Sequence, residues 1–161
     1  MTDTTTPHAR IERTFDAPID EVWRMWVEPS EFAAWYGPPG AEIPVCEMDV
    51  KEGGRRFVGM RMQGPDGEMQ MWFVGAFVEI TAPTRLVYTE SLANADGDAL
   101  SPEESGMPPG APSDTQVTVE LQAIDDDRTA VVVRHVGIPA DSPGAMGWQM
   151  ALDKLAAHLD D

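Results

Sequence analysis

The sequence predicts an α+β domain in which a curved antiparallel sheet of about six to seven strands wraps around a long C-terminal helix, with two short helices after the first strand. Two observations support this fold class. Seven segments have the period of a strand, of which the stretch 70–80 is apolar on both faces, and in three other segments apolar residues recur every three to four residues. Of these helical segments, only the last is long enough to cover a face of the sheet.

The chain of 161 residues is predicted to form one domain, residues 1–161, because this length buries well over half of the surface that the unfolded chain exposes. Residues 1–9 are expected to be a flexible polar tail. Residues 93–114 are rich in proline, glycine and acidic residues and contain no basic one, so we expect a long, mobile acidic loop inserted into the sheet.

The first part of the domain predicts one strand and two short helices. Alternating apolar residues indicate a strand at 9–15. Pro18 suits the first turn of a helix that Pro29 ends. Ser30 is predicted to cap a second helix, which the Gly-Pro-Pro segment at 37–39 terminates.

Six further segments are predicted to be strands, and glycine, proline and aspartate residues between them favour tight turns. They are residues 41–50, 55–62, 69–80, 85–92, 115–123 and 129–137. The first four form an antiparallel meander, and the last two a hairpin. Val117, Val119 and Leu121 are expected to face inward.

The C-terminal helix is predicted to begin at Ser142 and Pro143 and to lie in the concave face of the sheet. Its apolar residues recur at spacings of four, three and four, which places them on one stripe. The stripe consists of Trp148, Leu152, Leu155 and Leu159. A helix with this pattern either locks a core or closes a cavity, and the sequence leaves both interpretations open.

Charge and cysteine content exclude several classes of function. Lysine and arginine number 11 against 28 acidic residues, a net charge of −17 that repels phosphate backbones, so we expect no nucleic-acid partner. Cys46 is the only cysteine, and the N-terminus resembles no secretion signal, so we expect a cytoplasmic protein. No apolar run approaches the roughly 18 residues of a membrane span.

The sequence carries no metal, phosphate-loop or nucleophile motif. His8, His135, His158 and Cys46 match no metal-ligand spacing. The glycine pair at 53–54 lacks the lysine and hydroxyl residue of a phosphate loop, and no serine lies in a nucleophile elbow. We therefore expect neither a metal nor a cofactor.

Several segments together carry a family pattern. They are FDAPIDEVWRMWVEPSEFAAWYGP, EMDVKEGGRRFVGM with PDG after it, GAFVEITAPTRLVYTES, and TAVVVRHVGIP followed by GWQMALDKLAAHL. From residue 11 to 159 the chain resembles the helix-grip superfamily of START domains and the birch-pollen allergen (SRPBCC). Within it, the chain is most similar to bacterial domains like Aha-type activators of the ninety-kilodalton heat-shock chaperone's ATPase.

The resemblance implies a cavity between the concave sheet face and the C-terminal helix, opened or closed by nearby loops. Met is flexible and polarisable, so six methionines are candidates to line such a site: Met60, Met62, Met69, Met71, Met146 and Met150. Family geometry places Trp35 and Trp148 at the cavity mouth. The predicted ligand-binding residues are Trp35, Met60, Met62, Trp72, Tyr88, Glu90, His135, Trp148 and Leu152, with ordinary core packing as the alternative.

One polar constellation is predicted on the inner face. His135 continues the inward alternation of Val133, and Glu90 shares the face of Tyr88. An inward histidine can act as a general base or orient a ligand, and a buried carboxylate requires a partner. Glu90 with His135 or Arg61 is therefore the candidate site for catalysis, and a buried, hydrogen-bonded structural histidine is the alternative.

We therefore predict a protein, monomeric or homodimeric, that binds a small apolar or amphipathic molecule between sheet and helix. Trp35, Met60, Trp72, Tyr88 and Trp148 are the expected walls. One alternative is a co-chaperone-like module that contacts a chaperone or client protein through its acidic surface. Another is a cyclase or hydrolase using the same cavity, although the residues favour a binding protein over an enzyme.

Overall fold

The computed structural model describes residues 8–37, 40–64, 67–100, 114–136 and 143–159, which form a seven-stranded sheet and three helices. The strands are β1 (His8–Phe15), β2 (Glu42–Met48), β3 (Arg55–Gly64), β4 (Gly67–Thr81), β5 (Arg85–Ala93), β6 (Asp114–Asp125) and β7 (Arg128–Val136). The helices are α1 (Ile19–Val27), α2 (Pro29–Trp35) and α3 (Pro143–Leu159). The predicted fold class and each predicted element are confirmed.

The sheet is antiparallel throughout, with the strand order β1-β7-β6-β5-β4-β3-β2. Strands β1 and β2 follow each other in sequence but lie at opposite edges. Helices α1 and α2 therefore cross from one edge of the sheet to the other. Their buried residues belong to the same hydrophobic core as those of α3, so all three helices cover one face, which we call the inner face.

The strand register determines which side chains point to the inner face. Tyr88 on β5 pairs with Val117 on β6, and Val117 pairs with His135 on β7. Residues directly opposite each other share a face, and residues two positions apart along a strand do too. The expected inward orientation of Val119 and Leu121 is confirmed, because both are buried in the core.

The junction of α1 and α2 differs from the sequence prediction in one detail. Ser30 lies inside α2 rather than capping it, because α2 begins at Pro29 and Glu28 occupies the cap position. Proline suits the first position of a helix, where its missing N–H has no intrahelical partner and its fixed φ is already helical. The same proline that ends α1 therefore starts α2.

Helix α3 is held at both sides of the inner face. Among residues 146–159 of the helix, the buried ones are Trp148, Ala151, Leu152 and Leu155. On β1, Arg13 forms an ion pair with Asp153 at 2.7 Å. On the opposite side, Lys154 Nζ donates hydrogen bonds to the carbonyls of Tyr36 and Gly37, each at 3.3 Å. These contacts join the helix to the sheet edge and to the end of α2.

The acidic segment after β5 begins with an ordered turn. Within residues 94–100, the side-chain oxygen of Asn94 accepts two backbone hydrogen bonds, at 2.9 and 3.1 Å. The predicted loop over 93–114 overlaps β5 at its first residue and β6 at its last, and its part 101–113 lies outside the described residues. The predicted tail over 1–9 is wrong at residues 8 and 9, which belong to β1, and residues 1–7 lie outside the described residues. The mobility of both segments and the single-domain boundary stay predictions.

Candidate functional site

Four buried polar side chains meet on the inner face and form what we call the Arg56 cluster: Tyr36, Arg56, Tyr88 and Glu90. Arg56 comes from β3, and Tyr88 and Glu90 lie two residues apart on β5, so they share a face. Tyr36 follows α2 directly. The exposed fraction is 2% for Arg56, 6% for Glu90, 0% for Tyr88 and 8% for Tyr36. The cluster therefore lies out of contact with bulk water.

An ion pair forms the centre of the Arg56 cluster. Arg56 Nη1 donates to Glu90 Oε2 at 3.3 Å, and the Tyr36 hydroxyl donates to the same oxygen at 3.4 Å. The guanidinium carbon lies 4.0 Å from the ring centroid of Tyr88 and 4.9 Å from that of Phe32. Both hydrogen bonds exceed the common 2.7–3.2 Å range, so the buried charges are compensated but sparsely hydrogen-bonded.

Two polar atoms of the cluster have no hydrogen-bond partner among the described residues: Arg56 Nη2 and the Tyr88 hydroxyl. Trp26 Nε1, in α1, is also buried without a hydrogen-bond partner among the described residues. An unpaired buried donor costs about 1–3 kcal/mol, and the large majority of buried polar groups in proteins are paired. Two such atoms within one cluster make it a candidate binding site.

Burial determines the protonation of the cluster. Desolvation raises the pKa of Tyr36 well above its ordinary value, and the Glu90 carboxylate adds to this effect. Desolvation likewise raises the pKa of Tyr88. Burial opposes the charge of Arg56, but the charges around it, of which Glu90 carries the negative one near pH 7, raise the pKa of the guanidinium above its ordinary value. The tyrosines are therefore neutral donors and Arg56 a full positive charge.

A chain of hydrogen bonds, which we call the Trp148–His135 chain, connects α3 to β5. Trp148 Nε1 donates to His135 Nδ1 at 3.0 Å, and His135 Nε2 lies 2.8 Å from the Thr115 hydroxyl. That hydroxyl donates to the Glu90 carbonyl at 2.9 Å. Because Nδ1 accepts, the neutral imidazole carries its proton on Nε2. Burial lowers the pKa of His135, with the Glu90 carboxylate opposing, so the ring is neutral near pH 7.

The prediction that Arg61 is a partner of Glu90 is wrong. Arg61 points to the outer face of β3, where its Nη2 lies 3.2 Å from Glu42 Oε1. Side chains alternate along a strand, so Arg56, an odd number of positions away, takes the inner face instead. The predicted inward orientation of Glu90 and His135 is confirmed by their contacts in the core.

The predicted position of Trp72 on the inner wall is also wrong. Trp72 pairs with Gly59, whereas Met60 pairs with Met71, so Trp72 and Met60 point to opposite faces. A Cβ built on Gly59 would lie 3.1 Å from the Trp72 ring, which places the indole over this glycine on the outer face. Strand β4 is apolar on both faces, so its pattern does not specify which residues point inward.

Trp35 lies in the core between α1 and α2. It is fully buried, its Nε1 donates to the Met25 carbonyl at 3.0 Å, and its ring packs edge-on against Trp26 at 4.9 Å. These contacts occupy the indole, including its only donor. The structure thus gives Trp35 the packing role that the sequence left open beside ligand lining.

The methionines divide between core and surface. Met60 is buried, and Met62 is partly buried against the core. Met69, Met146 and Met150 are exposed by 48%, 63% and 38%. The expectation that Met146 and Met150 line an inner site is wrong, because both lie off the buried stripe of α3. Met69 pairs with Met62 and shares its face of the sheet.

Sequence reasoning does not single out Arg56, Tyr36 or Thr115, which complete the two polar networks. One feature of the sequence does indicate that Arg56 points inward. It occupies the same alternation as Val58 and Met60, and an inward Glu90 requires a cation on that face. No sequence pattern indicates Tyr36, which reaches the cluster only because α2 crosses the sheet.

Within the described residues, no group of three or more His, Cys, Asp or Glu side chains is arranged to hold a metal. None of the described helices combines the length and apolar character needed to cross a bilayer. Cys46 is a free thiol, and its burial raises its pKa to about 11, so it is protonated near pH 7.

A curved antiparallel sheet closed by a C-terminal helix, with polar groups buried between them, defines a helix-grip domain of the SRPBCC superfamily. The family model of the Activator of Hsp90 ATPase homolog 1-like protein matches residues 16–160. The chain therefore belongs to this family, and the resemblance inferred from the sequence is confirmed. Among curated proteins, none matches the chain.

Solved structures share the fold over nearly the whole chain. A protein from Mycobacterium smegmatis superposes with a TM-score of 0.77 at 20% identity, covering 96% of this chain and 91% of that one. A Nitrosomonas europaea protein gives 0.72 at 22%, covering 99% and 97%. The AHSA1 protein from Silicibacter pomeroyi gives 0.73 at 18%, covering 95% and 97%. These superpositions establish a common fold.

Proposed function

We propose that this protein binds a small apolar or amphipathic molecule between the inner face of the sheet and α3, with the polar end of the molecule at the Arg56 cluster. One observation carries the proposal. Arg56 Nη2 and the Tyr88 hydroxyl are buried on this face without a hydrogen-bond partner among the described residues. A ligand oxygen would pair both atoms and remove the cost of leaving them unpaired.

The apolar part of the ligand would contact the residues that surround the cluster. The proposed wall consists of Met60, Met62, Phe73, Trp148 and Leu152, all of which belong to the inner core or pack against it. Burial of apolar ligand surface contributes roughly 25 cal/mol per Å² before the costs of association are subtracted. Glu90 and His135 would orient the polar end through Arg56 and Trp148.

A second candidate is a co-chaperone-like interaction module. The family description and the net charge of −17 favour it. The partner would be a chaperone or client protein with a basic surface, bound through charge attraction. Such binding would weaken strongly with added salt, because ions screen exposed charges beyond about 10 Å at 0.1 M.

The cyclase or hydrolase alternative receives less support from the geometry. The Glu90 carboxylate is the counter-ion of Arg56, and both ring nitrogens of His135 are occupied by Trp148 and Thr115. We therefore propose binding without catalysis, and without a metal or cofactor. The cytoplasm is the proposed compartment because Cys46 is the only cysteine, and a monomer or homodimer the proposed assembly.

The Trp148→Ala variant is expected to raise the dissociation constant of Nile red, a neutral apolar dye, by about fivefold or more. The loss of about 1 kcal/mol of contact energy corresponds to that factor. Trp72→Ala is the matched control, because Trp72 lies on the outer face, and should leave the constant within about twofold. Dye emission is titrated at a temperature where both variants keep the wild-type circular dichroism. Equal constants for Trp148→Ala and wild type would contradict the proposed site.

A further inference from the structure

We infer that the bound molecule carries a neutral acceptor oxygen of the carbonyl class, as in a ketone, ester, lactone or amide, held by Arg56 Nη2 and the Tyr88 hydroxyl. This inference rests on the proposed function and adds the chemical class of the ligand. It depends on three properties of the Arg56 cluster: its donors, its charge and its burial.

The donors of the cluster require an acceptor. A guanidinium has only donors, and Arg56 uses Nη1 for Glu90 while Nη2 has no partner in the described part of the chain. The Tyr88 hydroxyl keeps its proton, because burial raises its pKa, and it is likewise unpaired there. The guanidinium carbon lies 4.0 Å from the ring centroid of Tyr88, so the guanidinium packs against the ring that carries this hydroxyl.

The charge of the cluster favours a neutral acceptor over an anion. Glu90 already compensates Arg56 at 3.3 Å. A carboxylate or phosphate would add a second negative charge beside Glu90 in a site where the two partners are only 2% and 6% exposed. Uncompensated buried charge is strongly unfavourable. A cation is disfavoured as well, since the two unpaired groups present donors.

The burial of the cluster makes the acceptor a determinant of specificity. A ligand without oxygen would contact the apolar wall but leave both donors unpaired. A carbonyl oxygen has two lone pairs and can accept from both donors. From the usual cost of an unpaired buried donor, we expect a carbonyl to improve binding about tenfold to a hundredfold over an isosteric hydrocarbon.

Three probes with one aromatic body test this inference: 2-acetylnaphthalene, 2-isopropylnaphthalene and 2-naphthoate. Dissociation constants are measured by isothermal titration calorimetry on the full chain. The ketone is expected to bind about tenfold or more tightly than both the hydrocarbon and the carboxylate. The wild-type protein alone suffices for this comparison.

Tyr88 supplies the variant that tests the unpaired hydroxyl, and Trp72 on the outer face supplies the aromatic control. Tyr88→Phe keeps the ring against Arg56 and removes only the unpaired hydroxyl, so it should lower the ketone-to-hydrocarbon affinity ratio about fivefold. Trp72→Phe should leave the ratio within about twofold, because Trp72 lies on the outer face of the sheet, away from the cluster.

The outcomes separate this inference from the proposed function. Equal binding of ketone and hydrocarbon overturns the carbonyl assignment and leaves an apolar ligand site in place. Tightest binding of the carboxylate overturns the neutral acceptor and identifies an anion site. No binding of any of the three probes contradicts the proposed function and this inference together.

Discussion

Glu90→Gln is expected to lower the free energy of unfolding by about 3–5 kcal/mol, because it leaves the buried Arg56 guanidinium without a counter-charge. The two side chains are 2% and 6% exposed and lie 3.3 Å apart. Glutamine has nearly the same shape and still offers an oxygen to Arg56, so the loss reports mainly the missing charge. Urea unfolding followed by circular dichroism at pH 7 measures it.

Two controls accompany this measurement. The double variant Arg56→Met, Glu90→Leu removes both charges and should recover most of the lost stability, as apolar replacements of buried ion pairs often do. Glu79→Gln breaks an ion pair with Arg85 that is 40% exposed on each side, and should cost less than about 1 kcal/mol. A loss in Glu90→Gln no larger than in Glu79→Gln would contradict the electrostatic role of the cluster.

The wild-type protein is expected to lose stability as the pH falls below about 6.5, the ordinary pKa of histidine. Burial lowers the pKa of His135 in the folded state, so below that pH the unfolded chain binds one proton more than the folded chain. The stabilisation from neutral His135 is complete above the pKa that histidine has in the unfolded chain. It is lost as the pH falls towards and through the lowered pKa of His135 in the folded chain. The slope should approach about 1.4 kcal/mol per pH unit in that window.

The Trp148–His135 chain gives the structural reason for this dependence. Protonation would place a hydrogen on His135 Nδ1, which faces the N–H of Trp148 at 3.0 Å, so two donors would meet. Three charged or titratable groups face this histidine or its neighbours: the Glu90 carboxylate raises its pKa, Arg56 lowers it, and Tyr36 packs against Trp148. Loss of the Trp148 bond loosens α3 from the sheet.

Matched histidine variants isolate this effect. His135→Gln can still accept from Trp148 and donate to Thr115 but does not titrate, so its stability should depend less steeply on pH between 7 and about 5. His158→Gln alters the histidine of α3, whose Nε2 lies 3.6 Å from Glu31, and leaves the Trp148–His135 chain intact, so the contribution of His135 to the slope should remain. If the free energy of unfolding depends on pH with the same slope in wild type and in His135→Gln, the proposed coupling of α3 to pH through His135 is wrong.

The fold could be predicted because its elements are determined locally. Alternation in β5, β6 and β7 and helical spacing in α3 each depend on a few neighbouring residues, and the structure has these elements within a few residues of the predicted bounds. The predicted cap of α2, Ser30, lies two residues from the observed cap position, Glu28, for a local reason as well. Pro29 can both end one helix and begin the next, and the pattern does not decide between these roles.

The site could be predicted only in part, because its contacts join distant segments. Alternation indicates that Glu90 and His135 point inward, but their partners depend on register and on how α2 crosses the sheet. Glu90 meets Arg56 and Tyr36 across 34 and 54 residues of sequence. For Trp72, the apolar residues on both faces of β4 carry no information about which face is inner.

Native mass spectrometry of the full chain purified from its own cells, followed by solvent extraction, tests the central claim most directly. The account predicts one small molecule per chain, and a carbonyl group in the extracted compound. A chain that carries no small molecule, and that instead copurifies stoichiometrically with a chaperone released by added salt, would contradict the ligand site and support the interaction module.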